Sequence, residues 1–383
     1  MPDNLALRRV MRRLNVSQEE LAQRIREDGR DTAGCNRAMV DRWLRGITRR
    51  PQPRYLRALE RVTGMPADSL GFASAEDDGF SPDGVTADAA AMEGFRKADL
   101  RAGGSHMYGT VREYLRTEVA PRLVTPGGRE IFTAAGALTE MTGWMSHDAG
   151  RDQAAREHFT RALDLARTGG DRQVIAHILA SMGHIADHLG DPDEAVRAAQ
   201  AGLGALLPGN PSLRSYLFAV QARGFAGLHD PAEAVRCLSL AETALQGAQD
   251  EPRSPWINNF DEASLANEAA RCMRQLGDLG EAQRQAEKVI ALRPVTRPRS
   301  RAFGLFTQAS VLAASGKPDE AAAVACEILT ETDGLGSYLV VRHLTELQEL
   351  LLPYKATTEV TRFLERLRLA LRERYWLPGR EVT

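Results

Sequence analysis

Five short segments of this chain repeat one pattern, and this repetition restricts the possible folds more than any other feature. The segments are AGRDQAAREHF (149–159), LGDPDEAVRAA (189–199), LHDPAEAVRCL (228–238), LGDLGEAQRQA (276–286) and SGKPDEAAAVA (315–325). Each combines a Gly- or Asp-containing turn with an amphipathic helix, and their matched alanines lie 40, 39, 48 and 39 residues apart. Such a period is typical of helix pairs that stack on their neighbours. We therefore expect an α-solenoid.

The composition agrees with this expectation, because only 6% of the residues are aromatic and β-branched runs are scarce. The repeats resemble a tetratricopeptide (TPR) array, and the fold class we predict is all-α. We place five helix pairs at 131–335 and capping helices at 336–383. Small residues such as Gly183, Ala222 and Ala270 are expected to let the helices approach closely.

The TPR resemblance implies a concave groove lined by the first helix of each repeat. Registering each repeat on its turn gives the candidate groove residues Trp144, His147, Asp148, His177, His184, Asp187, His188, Tyr216, Arg223, Asn267, Arg271, Arg274, Phe303, Phe306 and Ser310. This mixture suits an extended peptide, because an asparagine can bond a backbone amide at both ends and arginines can hold a carboxylate. A small hydrophobic molecule is the second choice of ligand. Solvated groove residues with structural Arg–Asp pairs are the alternative interpretation.

The first 72 residues differ from the rest in charge. They contain 15 Arg and no Lys against 9 Asp and Glu, so their net charge is +6 while the whole chain carries −2. A basic head on an acidic chain indicates a polyanionic partner for the head alone.

Sequence signals for helix starts and ends predict several short helices within these 72 residues. Ser17 and Glu20 have the spacing of a capping box, which opens a helix through Leu21 and Ile25. Met39, Val40, Trp43 and Leu44 then recur at helical spacing until Gly46. Leu5, Leu7, Val10, Met11 and Leu14 mark a first helix before Asn15, and a fourth, amphipathic helix follows Pro53 and closes at Gly64.

These residues, SQEELAQRI, MVDRWLRG and RRPQPRYLRALERVTGMPADSLG, resemble the Cro/repressor-like (XRE) helix-turn-helix family. The resemblance implies that one helix enters the major groove of double-stranded DNA and that flanking groups hold phosphates. The residues implied at or near bases are Asn36, Arg37, Ala38, Asp41 and Arg42. Those implied at the DNA backbone are Gln18, Arg45, Thr48, Arg49 and Arg50. An insertion, REDGRDTAG (26–34), precedes the recognition helix and leaves its first residue open.

Between these regions we expect an acidic flexible linker at 73–91 and connecting helices at 92–130. The four cysteines are widely spaced, and no leader or apolar run of membrane-spanning length occurs. These observations predict a cytoplasmic protein with reduced thiols and no membrane association.

Catalytic and cofactor motifs are also missing from the sequence. His184 and His188 have the i, i+4 spacing of metal ligands, but spacing fixes no third ligand, so neither a metal nor a cofactor is predicted. No phosphate loop, nucleophile elbow or dinucleotide fingerprint occurs, and enzymatic activity is not expected.

The combination of both regions resembles bacterial helix-turn-helix–TPR regulators, including some that sense peptide signals. We therefore predict a homodimeric transcriptional regulator that binds a palindromic operator and whose TPR groove senses a signal. The alternative is a scaffold that docks a protein partner such as a sigma factor or a toxin, with DNA binding secondary.

Overall fold

The chain divides into two compact units, Met1–Pro82 and Asp83–Thr383. The computed structural model describes residues 4–28, 32, 34–46, 48, 51–65, 70–72, 84–124, 128–206, 209–246, 254–295 and 297–373. Within these ranges the regular structure is helical and contains no strand, so the prediction of an all-α fold is confirmed. None of the described helices is both long and apolar enough to cross a membrane.

The described residues of the first unit form four α-helices. They are α1 (Leu5–Arg13), α2 (Gln18–Glu27), α3 (Arg37–Leu44) and α4 (Pro53–Thr63). The Ser17 hydroxyl accepts from the Glu20 amide at 3.2 Å, and the Ser17 amide donates to the Glu20 carboxylate at 2.7 Å. This reciprocal capping box starts α2. Trp43 is buried at the centre of the unit, between the rings of Tyr55 and Phe72.

The inserted segment between α2 and α3 is shorter than the sequence suggests, because Arg26 and Glu27 still belong to α2. Its described residues are tied to that helix. The buried Thr32 hydroxyl donates to the Ile25 carbonyl at 2.6 Å, and Arg26 donates to the Cys35 carbonyl at 2.7 Å. The insertion therefore adds local bonds without separating α2 from α3, which still pack on each other.

The second unit begins with a helix earlier than expected. Its first helices are α5 (Gly84–Ala102), α6 (Gly104–Tyr114) and α7 (Ala120–Leu123), with a π-helical turn at Leu115–Val119. The predicted flexible linker is therefore wrong for residues 84–91, which are helical because Ala89 and Met92 pack against apolar residues of the core that begins here. Residues 73–83 of that linker lie outside the described residues.

Five helix pairs follow and are capped by two more helices. The pairs are α8 (Glu130–Asp148) with α9 (Asp152–Gly169), α10 (Arg172–His188) with α11 (Pro192–Ala205), α12 (Pro211–Gly227) with α13 (Pro231–Gln246), α14 (Glu262–Leu276) with α15 (Leu279–Leu292), and α16 (Pro298–Ala314) with α17 (Pro318–Glu331). The last helices are α18 (Tyr338–Leu351) and α19 (Thr358–Glu373). The first helices of successive pairs contact each other in order, which builds a TPR-like solenoid.

The matched alanines of the repeats are all fully buried. Ala155, Ala195, Ala234, Ala282 and Ala321 each have 0% exposure. They lie in the first turns of α9, α11, α13, α15 and α17, where each second helix packs on its neighbours. A larger side chain at these points would separate the helices, so small size is what the repeat preserves.

Gly183 and Gly204 differ in the space that the neighbouring helices leave for a side chain. A Cβ added at Gly183 would lie 2.7 Å from Val220 Cγ1 and 3.1 Å from the Ala195 carbonyl oxygen, whereas at Gly204 it would meet nothing within 4 Å. We expect Gly183→Ala to lower the free energy of unfolding by about 1–2 kcal/mol through overpacking. Gly204→Ala, its control, should raise it by up to about 1 kcal/mol through helix propensity. Thermal melting of both variants checks the prediction, and equal melting points would contradict it.

Residues far apart in the sequence also join the two ends of the solenoid. Arg299 at the start of α16 forms ion pairs with Asp99 and, at 3.1 Å, with Asp148. The Asp148 carboxylate also accepts from the Ser337 hydroxyl at 2.6 Å and from the Gly104 amide at 2.8 Å. Asp148, which the repeat register placed in the groove, is therefore a structural link, because these three donors use its carboxylate.

Candidate ligand groove and nucleic-acid-binding helix

A cavity of about 240 Å³ opens on the inner helices of the solenoid. Its wall combines side chains from α8, α10, α12, α14, α15 and α16 with a short segment before α14. The lining residues are Trp144, His177, His184, Tyr216, Asn258, Asn259, Phe260, Ala263, Ser264, Asn267, Glu268, Val289, Arg293, Ser300 and Phe303. The wall thus mixes aromatic faces with a few polar groups, which is the usual character of a small-ligand site.

Six of the predicted groove residues line this cavity. They are Trp144, His177, His184, Tyr216, Asn267 and Phe303. The others lie elsewhere in the same unit, and several of them pack in the core or bind neighbouring side chains. Phe306, for example, is 5% exposed and packs in the core of the last repeats.

The segment before α14 was missed by the sequence analysis. The Phe260 ring stacks on Tyr216 at 5.1 Å, and the Ser212 hydroxyl donates to the Phe260 carbonyl at 2.8 Å. Trp256, only 8% exposed, packs in the core formed by α5, α6, α8, α9 and α10. The 48-residue spacing between the third and fourth repeats was the available signal, because it exceeds the others by at least eight residues.

A buried carboxylate lies at the back of the cavity wall. Glu140 is 2% exposed and accepts from the Ser181 hydroxyl at 2.6 Å and from the Trp144 indole N–H at 2.9 Å. His177 Nδ1 lies 3.2 Å from the same carboxylate. Burial alone raises the pKa of Glu140, but His177 and the two donors outweigh burial, so the pKa is lowered. The network fixes the Trp144 ring that faces the cavity.

Asn267 offers the cavity an unused hydrogen-bonding group. It lies on the inner face of α14 and lines the cavity, and its buried Oδ1 has no hydrogen-bond partner among the described residues. Buried amide oxygens are nearly always bonded in native proteins. A side-chain amide can accept an N–H and donate to a carbonyl at once, so Asn267 can bind both sides of a peptide group.

Arg223 and Asp187, both predicted in the groove, are used in an internal ion-pair network. Arg223 is 7% exposed and contacts the carboxylates of Asp187 and Glu268, the latter at 2.9 Å. These three residues come from α10, α12 and α14. Burial alone lowers the pKa of Arg223, but Glu268 and Asp187 raise it overall. Both predicted residues therefore hold inner helices together.

A group of histidines lies beside this network. His147 Nδ1 donates to Asp152 at 2.7 Å, and Arg342 donates to His188 Nε2 at 2.6 Å. Burial is the main cause that lowers the pKa of His188 to about 3 and the pKa of His184 well below its usual value, with nearby cations adding to it. The His184 ring also contacts Trp144 edge-on at 5.0 Å.

Three of these groups have the proximity of metal ligands. His147, Asp152 and His188 offer ligand atoms that all lie within 4.8 Å of one another. This set differs from the His184–His188 pair with metal-ligand spacing in the sequence. His147 takes the place of His184, and Asp152 from the next helix supplies a carboxylate. Arg342 already occupies His188 Nε2, so a cation would have to displace a guanidinium. The contacts present are those of a structural ion-pair cluster.

In the first unit, the helix predicted to read DNA begins at Arg37. The Asn36 side chain accepts from the Met39 amide at 3.0 Å and caps α3. Because its Oδ1 is engaged in this cap, the orientation of the Asn36 side chain is set by the start of α3. Arg37, Ala38 and Arg42 are exposed on α3.

The remaining predicted DNA contacts surround this helix. Asp41 forms a 3.0 Å ion pair with Arg45, which neutralises the one carboxylate on α3. Gln18 and Thr48 are half-buried. Arg49 and Arg50 lie outside the described residues. The described part of α3 therefore presents an exposed surface whose unpaired charges are positive.

Comparison with known proteins finds similarity in fold. A solved structure, that of a Rap protein complexed with competence and sporulation factor, superimposes with a TM-score of 0.51 at 13% sequence identity. The match covers 83% of this chain and 93% of the other. No protein-family model matches the chain, and no curated protein matches it either. The likeness concerns the TPR-like helical fold.

Proposed function

We propose that the protein is a DNA-binding transcriptional regulator whose solenoid senses a short peptide. The observation that carries the sensing part is Asn267, whose buried amide oxygen has no partner among the described residues and faces a cavity. A cavity of about 240 Å³ accommodates one or two side chains, and an extended peptide would continue along the inner helices. The similar Rap structure holds a bound factor, which supports ligand binding by such a fold.

The DNA-binding part rests on the first unit. The net charge of +6 over residues 1–72, the capped helix α3 and the exposed Arg37 and Arg42 fit a recognition helix that enters the major groove. Arginine can donate bidentately to guanine. A homodimer would place two such helices on half-sites of a palindrome. A peptide that binds one arrangement of the regulator better than another would shift the population towards it and so change operator affinity.

Arg42→Ala is expected to weaken binding to the preferred DNA sequence by about 10- to 100-fold, since it removes a base or phosphate contact. The full-length protein would first be used to select genomic fragments, which are then sequenced and titrated by fluorescence anisotropy at fixed salt. Arg57→Ala, an exposed arginine on α4, is the matched control. Equal affinities of the two variants, or no selected fragment at all, would refute the DNA-binding proposal.

Asn267→Leu tests the sensing part. It keeps the volume but removes the amide, so we expect affinity for peptides retained by the wild-type protein to fall about tenfold. The melting temperature should stay constant or rise, because the variant loses an unsatisfied buried oxygen. Gln283→Leu on α15, where the glutamine side chain bonds to Glu287, is the control. Peptide affinity that survives Asn267→Leu unchanged would count against the proposed site.

A further inference from the structure

Arg271 is a cation on an inner helix, and no carboxylate of the described residues forms an ion pair with it. It lies on α14, one helical turn after Asn267, and is half-buried. Its guanidinium makes no hydrogen bond or salt bridge to any residue in the described ranges. By contrast, Arg223, Arg293 and Arg299 of the same unit each contact at least one carboxylate.

The surroundings of Arg271 explain why its charge stays uncompensated. The carboxylates with the strongest influence on it, Glu268 and Asp187, are both bound to Arg223. Burial first, and the charge of Arg223 second, lower the pKa of Arg271 to about 10. The group stays protonated at neutral pH, and an added carboxylate would gain a charge-assisted, bidentate contact.

His184 connects this cation with the cavity. Its ring lines the cavity and lies within the electrostatic influence of Arg271. His188 and His343 also feel the charge of Arg271. Burial first, and the neighbouring cations after it, lower the pKa of all three histidines, so their rings are neutral at neutral pH. They do not compete with it for an anion.

The distance between Asn267 and Arg271 along α14 sets how far apart the two groups that they bind must lie in a ligand. Four residues of an α-helix rise about 6 Å. An extended peptide advances about 3.3 Å per residue, so two of its residues span the same distance. Arg274, exposed and without a salt bridge in the described ranges, extends the positive charge along the helix.

We propose that Arg271 is a carboxylate subsite of the peptide groove, and that the ligand carries a carboxylate about two residues from the peptide group held by Asn267. This inference rests on the proposed peptide-sensing function. The carboxylate is either the peptide's C-terminus or an Asp or Glu side chain. A ligand of this class carries a carboxylate and binds α14 at two positions that are one helical turn apart.

The test is affinity selection of synthetic heptapeptides by the full-length protein, with mass spectrometry as the readout. Two libraries differ only in their C-terminus, which is a free carboxylate or a carboxamide. We expect the wild-type protein to retain carboxylate-bearing peptides, and Arg271→Gln to weaken their binding by about 10- to 100-fold. Arg197→Gln, which removes an exposed arginine paired with Glu194, should change nothing.

The two carboxylate sources give different results. A C-terminal subsite requires the free carboxylate library, whereas a side-chain subsite enriches Asp or Glu at one fixed position in both libraries. Replacing the enriched acid by its amide in a resynthesised peptide should reproduce the loss without any change to the protein, so the test does not depend on the folding of the variant.

Retention of acid-free peptides as strongly as acidic ones, or equal binding by Arg271→Gln and Arg197→Gln, would overturn the carboxylate subsite while leaving peptide sensing intact. Failure of the wild-type protein to retain any peptide from either library would overturn the proposed function itself, and the subsite with it.

Discussion

Arg223→Gln is expected to lower the free energy of unfolding of the solenoid by about 3–5 kcal/mol, the largest effect of any single substitution considered. The reason is that Asp187 and Glu268 would remain buried without their shared cation. Chemical denaturation followed by circular dichroism measures the change.

The matched control for this substitution is Arg236→Gln. Arg236 also contacts a glutamate, Glu233, but the pair is exposed on the surface of α13. Its loss should cost less than about 1 kcal/mol. The triple change Arg223→Gln, Asp187→Asn and Glu268→Gln removes all three charges and should recover part of the stability. A single Arg223→Gln variant as stable as Arg236→Gln would show that the network contributes little.

Acidification from pH 7.5 to 4.5 is expected to lower the free energy of unfolding by on the order of 2 kcal/mol through His188, after a discount for solvent screening, and further through His184. His184 and His188 cause this loss, because burial holds both pKa values below the usual 6.5. Between pH 6.5 and the folded pKa, the unfolded chain binds more protons than the folded one. The free energy of unfolding therefore rises with pH throughout this window, and the contribution of the two histidines is fully present above pH 6.5.

Variants that cannot titrate separate these histidines from the carboxylates. The carboxylates Glu140, Asp152 and Glu346 also have lowered pKa values, and their contribution is lost as the pH falls through the pKa values of the unfolded chain, at the acid end of the chosen range. We expect His184→Asn and His188→Asn each to flatten the plot of unfolding free energy against pH. His229→Asn, at an exposed turn residue, is the control. Parallel plots for all three variants would assign the acid sensitivity to other groups.

The sensing proposal connects two neighbouring positions on one helix. Asn267 and Arg271 are one turn apart on α14, and both have side-chain groups without partners in the described part of the chain. Other polar groups of the inner helices are bound internally, such as the carboxylate of Glu140 and the terminal guanidinium nitrogens of Arg223. The sensing proposal therefore places ligand recognition on α14, and the predicted groove residues divide into those that line the cavity and those that hold the repeats together.

Local sequence determined much of this protein. The period of the matched alanines located the second helix of every repeat, because a small residue is needed wherever two helices cross closely, and all five alanines are fully buried. Ser17 and Glu20 located the start of α2 through bonds that span only three residues. Six cavity-lining residues followed from the same repeat register.

Tertiary structure alone decided which polar groups stay free for a ligand. Arg223 meets Asp187 and Glu268 across 36 and 45 residues, and Ser337 meets Asp148 across 189. Helical periodicity specifies which face of a helix turns inward, but not which inward charge finds a partner on another repeat. The same limit hid Glu140 and the segment of Phe260. Arg223 and Arg271 therefore looked alike in the sequence, and only packing between repeats neutralised one and left the other open.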